Sequence, residues 1–223
     1  MWLAVEKFIT DFSTVPLAVA GVIGVARYRR LDRNMQYLLL LTLLALVVTA
    51  VAMWLRVRHR PNLFLFPIDT AIEFTLLALI YRHALRELPI SRFILAGVGL
   101  FLLGTALTYR PRLDTLEFSP VQHFIEGVVV LTFVFYYFRR EITRQVVTRH
   151  LERDPMFWVS TGLLLYFSGN LLIFLTSNLV LKYSPTISRH VWAIHALLYT
   201  FLNVFYGIAL SLPPSRDELP TAA

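Results

Sequence analysis

Asp69 and Glu73 stand four residues apart, and His123 and Glu126 stand three apart. Either spacing puts both side chains on one face of a helix. His195, Tyr199, Asn203 and Tyr206 recur at helical steps, as do Tyr166, Asn170 and Ser177, with Asn178 beside them. Carboxylates and imidazoles can move protons, hold a metal ion or bind an amine, and amides and phenols can orient what is bound. Each of these sets lies within a long apolar run. Ionisable groups are costly there and are functional candidates by default. No arginine or lysine lies deep in those runs apart from Lys7, near an end. A carboxylate in low dielectric without a basic partner tends to gain a proton. The expected ligand-binding set is therefore Glu73, Glu126, His123, His195, Tyr199, Asn170, Asn203 and Asp69.

Other chemistry is narrowed by what the chain contains. It has no cysteine, which excludes disulfides, thiolate metal sites and a cysteine nucleophile. His123-x-x-Glu126 is not the H-E-x-x-H pattern of a zinc protease. A zinc site from His123, His195 and Glu126 is geometrically possible and would make an intramembrane lipid hydrolase with metal-bound water. No catalytic residue is assigned and no cofactor is expected. The last apolar run has no lysine to carry a retinal, and no Walker, Rossmann or nucleophile-elbow motif occurs.

The elements that must position these groups follow from composition. Of 223 residues, 57% are hydrophobic and 16% charged, against about 25% charged in soluble domains. Mean hydropathy is +0.63. This excludes a soluble globular enzyme and implies an all-α integral membrane protein. Seven runs reach the roughly 20 residues that a bilayer crossing needs. They are Trp2–Ala26, Met35–Leu55, Leu63–Tyr81, Phe93–Tyr109, Val121–Phe138, Met156–Leu181 and Val191–Leu212. The short connections predict an antiparallel sequential bundle. The expected organisation is one seven-helix domain over 1–212 and a short cytoplasmic tail over 213–223, with no cleaved signal at the N-terminus.

The net charge is +7. It reads as basic loops against anionic headgroups rather than a nucleic-acid surface. Thirteen of the 21 basic residues fall on the side of Arg27–Arg33, Arg82–Arg92 and Arg139–Arg153, and eight on the other. That bias predicts the N-terminus outside and the C-terminus inside a plasma (inner) membrane. The acids and histidines then share the outer leaflet, with Asp69 and Glu126 roughly 8–10 Å below the interface. Trp54, Trp192, Tyr81 and Tyr137 fall near run ends, as an aromatic belt requires.

Each candidate also has a plainer reading. Asp69 can be a helix-start residue after Pro67, and His123 an interfacial one after Pro120. His195, Tyr199 and Asn203 can be interhelical glue, and Gly162 and Gly169 close-packing positions.

Two stretches, Pro155–Val180 (PMFWVSTGLLLYFSGNLLIFLTSNLV) and His190–Leu210 (HVWAIHALLYTFLNVFYGIAL), carry a likeness. They resemble the last two spans of small bacterial seven-helix membrane proteins that are fused to, or act with, sensor histidine kinases. Ile68–Phe74 (IDTAIEF) and Gln122–Gly127 (QHFIEG) look similar to the third and fifth spans of that group. The resemblance implies a non-enzymatic envelope-stress or ligand sensor with an outer pocket and an inner output end. No kinase follows in these 223 residues, so output is expected through a cytoplasmic partner, a histidine kinase or another signalling protein. The alternatives are the metal-dependent lipid hydrolase and a small transporter.

Overall fold

A computed structural model describes residues 12–109, 120–143, 151–183 and 185–214, and among these the side chains of all but 120, 172, 174–183, 185–186 and 188–189. Seven α-helices carry the described chain, and no strand occurs among the described residues. They are α1 (Thr14–Arg27), α2 (Arg33–Val57), α3 (Leu65–Ala84), α4 (Ile94–Thr108), α5 (Pro120–Thr143), α6 (Pro155–Tyr183) and α7 (Pro185–Ser211).

Local chemistry fixes several starts. Asp32 caps α2 by accepting the Met35 N–H at 2.8 Å. Asp154 caps α6 by accepting the Met156 N–H at 3.0 Å. Helices α5, α6 and α7 each open on a proline. At the first helical position its fixed φ suits the helix and its missing N–H is not needed. Pro185 thereby starts α7 well ahead of the expected Val191, and most of what reads as an outer loop is helix. At the other end α5 runs on to Thr143, taking in Arg139 and Arg140 from the expected inner loop. Residues 144–150, Asp11, Lys7 and the tail from 215 lie outside the described residues.

Six helices form a closed ring. Helix α1 packs on α2, α2 on α3, α3 on α5, α5 on α6, α6 on α7, and α7 returns to α1. The sequential order expected for α4 does not hold. Helix α4 packs on α3 from outside the ring, and Gln122 reaches it from α5 by donating to Thr105 Oγ1 at 3.1 Å. Close approach of α6 and α7 depends on a missing side chain, since a Cβ at Gly162 would lie 2.9 Å from the Cβ of Phe205.

Cross-links show how the helices alternate. Arg27, at the end of α1, donates to the Leu212 carbonyl just past α7. Arg140, late in α5, donates to the Ala84 carbonyl at the end of α3. The late turns of α1, α3, α5 and α7 thus gather at one end, called here the arginine end. A dense layer sits there, with Leu38, Leu77, Ile80, Tyr81, Val134, Tyr137, Leu163 and Leu210 all fully or almost fully buried.

Two residues expected in an aromatic belt belong to this interior. Tyr81 and Tyr137 are wholly enclosed, because each hydroxyl finds a partner inside: Ser160 Oγ at 2.8 Å and Asp154 Oδ2 at 3.2 Å. The outer surface is the apolar one, with Val22, Leu100, Leu107 and Phe135 turned outward. Three helical segments, Arg33–Val57, Val121–Thr143 and His190–Ser211, are long and apolar enough to cross a membrane. Helix α4, with 15 residues, is apolar but spans only about 22 Å.

Candidate functional site

A cavity of about 300 Å³ opens between α1, α2, α3, α5, α6 and α7 at the end opposite the arginines. Helix α2 makes room for it with a stripe of small residues. Thr42, Ala45, Thr49 and Ala52 lead from the floor to Arg56 at the mouth, in steps of three and four. That stripe is about 21 Å long at 1.5 Å per residue. Arg56 is exposed, and the mouth also holds Asn62 and Trp192. Toward the arginine end the lining stops at Glu73 on α3, Glu126 on α5 and Tyr206 on α7. Phe74, Leu77, Val130, Val134 and Leu163 then belong to one buried hydrophobic core.

Seven of the eight residues picked from the sequence line this one cavity: Asp69, Glu73, His123, Glu126, His195, Tyr199 and Asn203. The eighth, Asn170, stands behind it. Its Nδ2 donates to the Tyr166 carbonyl at 2.8 Å, which turns Oδ1 toward His195 Nδ1 at 2.9 Å. An amide oxygen only accepts, so His195 carries its proton on Nδ1 in the neutral ring. Asn170 is therefore a positioning residue. The side chains of Ser177 and Asn178 lie outside the described residues.

His123 is held in the same manner by Thr70, a residue that the sequence reading passed over. Thr70 Oγ1 lies 2.9 Å from the Phe66 carbonyl and 2.6 Å from His123 Nδ1. The hydroxyl has one proton, and the bond to Phe66 uses it. His123 then donates from Nδ1, and its buried ring is interior rather than interfacial. Glu126 Oε2 is 3.8 Å from the same nitrogen, too far for a hydrogen bond. The signal for Thr70 was its i, i+3 relation to Glu73. The signal for the α2 stripe was a row of small side chains in a helix of otherwise uniform hydropathy.

The acids are treated differently from the imidazoles. Glu126 is 2% exposed, and its Oε1 has no hydrogen-bond partner. Tyr206, 3% exposed, has an unpartnered hydroxyl on the same cavity. A buried polar atom without a partner costs about 1–3 kcal/mol, and native structures rarely tolerate it without a reason. Around the imidazoles the walls are aromatic. Tyr166 lies 5.8 Å from His195 and 6.2 Å from Tyr199 between ring centres, and Trp192 meets His195 edge-on at 5.4 Å.

Among the described residues no three His, Asp or Glu side chains group as metal ligands. Comparison with protein families, curated proteins and solved structures finds no match to this chain.

Proposed function

We propose that this chain is a non-enzymatic, multi-pass sensory module of the plasma (inner) membrane. The seven helices span the bilayer with the cavity mouth outside and the arginine end in the cytoplasm. A ligand seated among Glu73, Glu126, His123, His195, Tyr199 and Asn203 shifts the helices. A cytoplasmic partner, such as a histidine kinase, reads the shift at residues 139–155. The resemblance of Pro155–Val180 and His190–Leu210 to kinase-associated seven-helix proteins agrees with that role.

One observation carries the reading. Polar side chains from α3, α5 and α7 converge on a single cavity that is open at one end and closed by packed side chains at the other. A blind polar pocket suits recognition better than passage, so a transporter has less support. Among the described residues no three His, Asp or Glu side chains group as metal ligands, so the hydrolase has less support.

The chain has no cysteine, so a cysteine placed at the exposed Arg153 is a unique site for an environment-sensitive dye. In vesicles, a step in external pH or addition of a small organic cation is expected to shift its emission. The Glu73→Gln/Glu126→Gln double variant is expected to abolish the shift. A dye that stays silent to every probe placed on the mouth side would sink the sensory reading.

A further inference from the structure

We propose that the cavity takes a small organic cation, an amine or methylated ammonium head, held between the Glu73–Glu126 carboxylates and the aromatic wall of Tyr166, Tyr199 and Trp192. The inference rests on the reading of the cavity as a ligand site and names the class of ligand.

Charge gives the sign. Three carboxylates, Asp69, Glu73 and Glu126, line the cavity, and the only arginine among its lining residues is Arg56, exposed at the mouth. An anion passing Arg56 would find no further arginine or lysine among the lining residues. Asp69 and Glu73 make no hydrogen bond or ion pair among the described residues, and Glu126 Oε1 is buried and unpartnered. A cation takes the place of the protons that such partnerless acids tend to hold and supplies the contact that Glu126 lacks. If it bears N–H groups, it also gives the Tyr206 hydroxyl oxygen a donor.

The walls give the class. Ring faces attract cations within about 6 Å of their centres, and Tyr166, Tyr199 and Trp192 line the same cavity as the carboxylates. Bare metal ions take ligands at about 2.0–2.6 Å, and among the described residues no such group exists. The volume, about 300 Å³, sits at the lower edge of small-molecule pockets, about 300–1,000 Å³. An organic head fills that space, whereas a lone ion would leave it to water.

The test compares choline with its uncharged tert-butyl isostere by calorimetry on the full chain in lipid nanodiscs. Choline is expected to bind saturably, and the isostere about tenfold or more weaker, as expected where charge and ring faces carry recognition. Glu126→Gln is expected to lower choline affinity about tenfold while leaving the isostere unchanged. Tyr199→Phe keeps a ring face and is expected to retain binding that Tyr199→Leu loses, which serves if the Glu126 variant fails to fold. Equal binding of choline and isostere overturns the proposal. So does absence of choline binding when acetate or zinc binds in a Glu126-dependent way, an outcome that leaves the ligand site standing. If no probe of any charge binds, both the cation and the ligand site fall.

Discussion

At the arginine end, Tyr81 meets Ser160, Tyr137 meets Asp154, and Arg140 lies 2.6 Å from the Glu141 carboxylate. At the cavity end, the imidazoles are fastened to Thr70 and Asn170, yet Glu126 Oε1 and the Tyr206 hydroxyl face no protein partner. Both layers lie in one bundle and bury polar groups among apolar helices. The difference is in what the unpartnered polar atoms face. The arginine end uses them to join helices. The cavity end orients some and leaves others unspent, as a site that must exchange its contents would. Burial of a polar group alone is therefore a poor marker of function, and burial without a partner marks a candidate where the orphaned atoms also line a shared cavity. Arg27 Nε and Asn34 Oδ1, at the arginine end, are also buried without a partner, so the contrast lies in the cavity end's two orphaned atoms lining the same cavity as three carboxylates.

The comparison can be broken by substitution, beginning where the effect is largest. Tyr81→Ala empties a fully buried ring site and is expected to destabilise the protein by about 3 kcal/mol, measured by unfolding in mixed micelles. Asp154→Ala removes both the α6 cap and the Tyr137 bond, for an expected loss of about 2 kcal/mol. Ser160→Ala leaves the Tyr81 hydroxyl without its partner and is expected to cost about 0.6 kcal/mol, the average for such bonds between membrane helices. Glu126→Gln, at the cavity end, is expected to leave stability unchanged or raise it by about 1 kcal/mol, since it trades an unanswered carboxylate for a neutral amide. A large loss from Glu126→Gln, matching that of Asp154→Ala, would erase the distinction between the two layers.

The smallest effect concerns His83, past the end of Leu63–Tyr81. Burial first, then Arg86 and Arg33, hold its imidazole below the ordinary value of 6.5, with Asp32 opposing. The unfolded chain then takes up the proton first. Stability from this group is present above pH 6.5 and declines as pH falls below it. His83→Gln is expected to flatten that decline in a pH series of melting temperatures.

Much of this arrangement was readable in the sequence, because hydropathy runs of bilayer length mark helices and because polar residues inside them are rare. The i, i+4 and i, i+3 pairs on α3 and α5 gave a shared face, and alternation of short-looped helices gave a shared end. What was hidden has a physical cause. Helix α2 is apolar all round, so hydropathy does not say which face turns inward; side-chain size does, through Thr42, Ala45, Thr49 and Ala52. The place of α4 outside the ring was equally hidden, since lipid and helix neighbours are alike in polarity. Tyr81 and Tyr137 looked interfacial by position, and only their partners in α6 and at its cap explain their enclosure.

The ring closes between its first and last members. Arg27 and the Leu212 carbonyl are 185 residues apart in the chain, and α7 supplies His195, Tyr199, Asn203 and Tyr206 to the cavity. A contact of such long sequence separation forms late, because a long stretch of chain must be ordered before it is rewarded. During synthesis α1 waits for α7, and until then Glu73 and Glu126 have only Tyr166 of the aromatic wall. The pocket is thus the last thing the chain completes. A protein interrupted before its seventh helix would have every carboxylate of the site and no place to put a ligand.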